Sequence, residues 1–73
     1  MTSTPNPTML EALRQQAGAI YQNWLNGNIS SAGAMVSQVP LKRQPYVVMA
    51  MTILAIHDGQ QYRFSQFIEG LTQ

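Results

Sequence analysis

The chain of 73 residues contains no cysteine, which removes disulfide staples, thiolate nucleophiles and every cysteine-bound zinc site. That suits a reducing compartment without requiring one. Charge is scarce as well: 10% of residues are Asp, Glu, Lys or Arg, against about 25% in an average soluble domain. The acids are Glu11, Asp58 and Glu69, and His57 is the single histidine. A general acid–base pair needs two titratable groups converging in a pocket, whereas His57 and Asp58 are adjacent at a helix end and point in different directions. Metal ligation needs three or four His, Cys or carboxylate donors, and no HxxxH or ExxH spacing occurs. Neither GxxxxGKS/T nor GxGxxG is present to cradle a phosphate. No catalytic residue, no metal and no cofactor is therefore expected, and the chain reads as a non-enzyme.

Long apolar runs are missing too. The longest, Tyr46 to Ile56, would extend roughly 16 Å as a helix, and a bilayer core needs about 20 residues. No membrane span is expected. Residues 1–7, polar and bearing Pro5 and Pro7, show neither the basic nor the apolar region of a secretory signal. They read as a flexible lead-in to a single domain over 8–73, placed in the cytoplasm.

What is present is helical patterning. Leu10, Leu13, Ala17, Ile20 or Tyr21, and Trp24 recur at spacings of three and four and form one apolar stripe. Asn6 with Pro7, or Thr8 with Glu11, would open this first helix, and Gly27 can take the left-handed conformation that closes it. A second, shorter helix groups Ile29, Ala32, Met35, Val36 and Val39, with Ser30 as the expected cap and Pro40 beyond its end. The small residues Ala32, Gly33 and Ala34 would let a neighbouring helix approach closely. Leu41 to Gln44 reads as a polar bridge, and Pro45 suits the first turn of a third helix.

Tyr46 to Ile56 is apolar nearly all round. Its β-branched residues Val47, Val48, Ile53 and Ile56 leave a buried strand as the alternative, but length without a breaker favours helix. Asp58-Gly59 closes it. Phe64, Phe67, Ile68 and Leu71 have helical spacing for a fourth helix, with Ser65 as a cap and Gln60 to Arg63 either loop or an earlier start. The fold class expected is all-α, a compact bundle of about four short helices with a central apolar helix at about 45–57.

That central helix would need cover on every side, and three short helices give little. Any strip left open is an exposed apolar patch, the usual mark of a binding surface. The function expected is thus a non-catalytic regulatory or adaptor protein acting by protein–protein binding. Small chains of this type often serve phages and plasmids as modulators of host machinery, including transcription complexes. The expected partner is a larger protein or protein complex, with a homodimer also open. The candidate contact residues are Tyr21, Trp24, Tyr46 and Tyr62, which combine apolar area with a polar handle, and the basic Lys42, Arg43 and Arg63. A DNA-binding regulator using a basic patch around Lys42 and Arg43 is the first alternative. It ranks lower because phosphate contacts need clustered basic residues, and the helix in the reading position is apolar. A structural subunit of a larger assembly is the second.

Overall fold

A proline whose missing N–H costs nothing in a first turn opens the structure. The computed structural model describes residues 7–71 and has four helices: α1 (Pro7–Leu25), α2 (Ile29–Gln38), α3 (Gln44–His57) and α4 (Gln61–Leu71). Helix takes up 83% of the described residues, and no strand occurs among them. The all-α bundle expected from sequence is what forms. Of the lead-in expected over 1–7, Pro7 instead begins α1, and residues 1–6, with the Asn6 cap, lie outside the described residues.

Two glycines end helices in the same way. At Gly27, with φ 89°, the N–H donates to Trp24 O at 3.1 Å, and the N–H of Asn28 donates to Asn23 O at 2.9 Å. At Gly59, with φ 71°, the N–H donates to Ile56 O at 3.2 Å, and that of Gln60 to Ala55 O at 2.8 Å. Both are paired six-to-one and five-to-two bonds around a left-handed residue, which satisfy carbonyls the helix end would otherwise orphan. The α2–α3 turn is built differently. Val39 is extended ahead of Pro40, and Gln44 Nε2 donates back to Val39 O at 2.9 Å.

Two local expectations are corrected, and one open choice is resolved. Asn28, not Ser30, precedes α2, and it makes no side-chain cap bond. The Asn28 C=O already accepts from Ala32 N at 2.9 Å, which places Ser30 inside the first turn. Ser65 does not cap α4; its hydroxyl donates to Tyr62 O within the helix at 2.8 Å. Of the two starts considered for α4, the earlier one forms, with Phe64 N–H donating to Gln60 O at 2.9 Å.

The core gathers Ala17, Ile20, Tyr21 and Trp24 from α1, Ala32, Val36 and Val39 near α2, Val47, Met51 and Ala55 from α3, and Phe64 from α4. Helix α3 touches all three others and is central in that sense, while its broadest contact is with α1. Contacts at both ends show that α1 and α3 run in the same direction. Leu10 and Arg14 lie beside Tyr46 and Met49, and Tyr21 reaches Leu54 and Asp58. Helix α2 returns between them. At Gly33 the α4 side chain Leu71 stands 3.2 Å from where a Cβ would be, so what comes close to the small residues here is a side-chain tip and not a helix backbone.

Candidate interaction face

The inner side of α3 repeats at every fourth residue: Val47, Met51 and Ala55 are each fully enclosed. At about 100° per residue, the opposite side is the stripe Tyr46, Met49, Ile53 and Ile56. These four are 61%, 61%, 57% and 52% exposed. Thr52, the one polar residue between Tyr46 and Ile56, bonds its own helix through Val48 O at 2.8 Å and presents no free donor. The expected shortfall of cover is therefore real, and it is one-sided.

Helix α1 extends this surface. Met9 and Leu10 are each about half exposed at its start. A groove of about 540 Å³ runs between the two helices, lined by Leu10, Leu13, Tyr46, Met49, Ala50 and Ile53, with Glu11 and Arg14 also lining it. Lys42 and Arg43 stand exposed in the turn that feeds α3.

The candidate contact residues fall into three places. Lys42, Arg43 and Tyr46 gather at the N-terminal end of α3, beside the groove. Tyr62 and Arg63 sit in the first turn of α4, beyond the other end of α3, a helix of 14 residues and so about 20 Å long. Arg63 lies with its guanidinium carbon 5.8 Å from the centre of the Trp24 ring, a cation–π distance. Tyr21 and Trp24 are core residues, only 3% and 6% exposed, and offer a partner little surface. Their rings pack with Phe64 and Phe67: Trp24 meets Phe64 edge-on at 5.4 Å and 88°, and Tyr21 meets Trp24 at 5.6 Å. Such pairs add about 0.5–1.5 kcal/mol each beyond area burial.

No family model, curated protein or solved structure matches this chain.

The polar handle of Tyr21 points inward. Its hydroxyl donates to Asp58 Oδ2 at 3.0 Å, with Leu54 O at 3.5 Å on the margin. Burial, then the bond to Asp58 and the charge of that carboxylate, push the phenol up to about 12. The Asp58 carboxylate thus joins the end of α3 to the C-terminal part of α1, a structural use that its place beside His57 in sequence did not reveal. Among the described residues no group of three or more His, Asp or Glu side chains is arranged to hold a metal ion, and no helix is long and apolar enough to cross a membrane.

The residues that sequence reasoning missed are Met49, Ile53 and Ile56 as surface. A 3-4-3 spacing within the apolar run was the available signal. It was hidden because Val47, Met51 and Ala55 supply a second apolar stripe on the same helix.

Proposed function

We propose that this protein is a non-catalytic regulatory or adaptor protein that acts in the cytoplasm by binding another protein chain through the outer face of α3 and the start of α1. One observation carries the reading. Four successive large apolar residues of α3 are more than half exposed along one stripe, continuous with Leu10 and the groove beside it. Soluble monomers rarely leave more than a few hundred Å² of contiguous apolar surface uncovered unless something binds there. An uncharged centre with Glu11, Arg14, Lys42 and Arg43 around it matches the apolar core and polar rim of protein interfaces. The partner class is a larger protein or protein complex, and a transcription complex of a phage or plasmid host is the first to test.

The test compares the immobilised chain with its Ile53→Glu variant after circular dichroism has shown equal helix content. Proteins held by the first and lost by the second, with little dependence on salt, support the reading. Equal capture by both chains refutes the face. No face-dependent capture, together with a DNA shift that falls steeply with salt and needs Lys42 and Arg43, replaces it with the nucleic-acid alternative.

A further inference from the structure

The exposed stripe has the period of a helix-packing seam. Tyr46, Met49, Ile53 and Ile56 stand at i, i+3, i+7 and i+10, the alternating three-and-four spacing by which one helix packs its side chains into the gaps of another. We propose that the occupant is a second copy of this chain, with the two α3 helices packed antiparallel about a two-fold axis. The inference rests on the face assigned above: the second copy covers that face in the free protein, and a larger partner would bind by replacing it.

Three observations favour a copy of this chain over an unrelated helix. The first is self-complementarity. With the axis at the middle of α3, Tyr46 meets the second copy's Ile56 and Met49 meets its Ile53, so each large residue of the stripe faces another. The second is charge. Helix α3 carries no Asp, Glu, Lys or Arg along its length, and the chain's net charge is +1, so two copies approach with little repulsion. The same antiparallel register lays the turn bearing Lys42 and Arg43 against the other copy's Asp58 and the carbonyl end of its α3. That end is the favourable pole for a cation. A parallel pairing would set Lys42 and Arg43 against themselves and align the two helix dipoles. Of the other groups at the far end, Arg63 is drawn over Trp24, and His57 lies in the last turn of α3.

The third is area. The stripe with Met9 and Leu10 exposes on the order of 600 Å², approaching the roughly 800 Å² that each partner contributes to a standard interface. The groove between α1 and α3 lies alongside the seam and can admit the second copy's ridge.

Sedimentation equilibrium of the full chain, from low micromolar concentration upward, is expected to give a dimer. Ile53→Glu, placed at a position 57% exposed in the single chain, should keep the helical dichroism and the cooperative melt. It should weaken association by about 100-fold or more, since each dimer would bury two unpaired carboxylates. Direction is read by cysteine pairing, which has no background because the chain has no cysteine. Chains carrying Met49→Cys and chains carrying Ile53→Cys should cross-link when mixed and much more slowly when kept apart. Fast cross-linking of either variant alone overturns the antiparallel arrangement. A chain that stays monomeric throughout overturns the dimer and leaves the protein-binding reading to the capture experiment. A dimer untouched by Ile53→Glu overturns the α3 pairing and leaves the face assignment to the capture experiment.

Discussion

Replacing Tyr21 by phenylalanine isolates one hydrogen bond with almost no change in packing. The ring contacts with Trp24 and Phe64 remain, and only the hydroxyl 3.0 Å from Asp58 Oδ2 is lost. A bond to a charged acceptor contributes about 1.5–3 kcal/mol. Asp58 is exposed, so water takes over part of its solvation, and the lower end, about 1–2 kcal/mol, is the better figure. For a domain of this size that lowers the melting temperature by roughly 5–15 °C. The pH dependence gives the sharper check. The phenol's ordinary pKa is 10.0, and in the fold it is pushed up to about 12. Between those values the unfolded chain has lost a proton that the folded chain still holds, so stability falls as pH rises. The contribution is fully present below pH 10 and is lost as pH climbs through about 12. Thermal melts followed by circular dichroism should show the wild-type chain more stable at pH 8 and the two curves closing together above pH 10. A gap that is absent at neutral pH, or that stays constant into the alkaline range, would refute the phenol–carboxylate bond.

Other expectations follow from burial and backbone geometry. Met51→Ala empties a fully enclosed site and should cost about 2–4 kcal/mol, whereas Met49→Ala, two residues earlier on the outer stripe, should change the stability of the single chain by no more than about 0.5 kcal/mol; urea titration of both at low concentration checks the contrast. Gly59→Ala forces a side chain onto a φ of 71° and should cost about 1–2 kcal/mol by the same assay. Gly33→Ala should instead stabilise by about 0.5–1 kcal/mol, because helix propensity improves and the one crowded atom, Leu71 Cδ2 at 3.2 Å, belongs to a partly exposed side chain that can move. Lys42→Ala with Arg43→Ala should leave the melting temperature within a few degrees of wild type, since both side chains are exposed.

The helices were legible in the sequence where local chemistry decides them. Pro7, Gly27, Pro45 and Gly59 each act within a few residues, and each stands where the pattern put it. What sequence left open is sidedness. A helix with polar residues on one face declares its inward side, but α3 has apolar residues on both, so the enclosed stripe of Val47, Met51 and Ala55 cannot be told from the open stripe of Met49, Ile53 and Ile56 by composition. For the same reason nothing in the apolar run marks Leu54, which is 37% exposed, apart from its enclosed neighbour Ala55. Tyr21 and Trp24 were ambiguous because a ring with a polar handle suits a core as well as a surface. The choice was made by Asp58, 37 residues away from Tyr21 along the chain, and by Phe64 and Phe67 on α4. Such distant partners leave no local trace.

Because α1 and α3 share a direction, their glycine-stopped ends lie at one pole of the molecule, where α2 and α4 set out. The start of α1 and the last turn of α4 lie toward the opposite pole, near Tyr46 and Gln44 respectively. A tether leaving either helix therefore departs from the pole that holds Lys42, Arg43 and the groove. Cargo joined there is kept at raised effective concentration beside the apolar seam, and a bulky fusion at that pole would act as a steric plug.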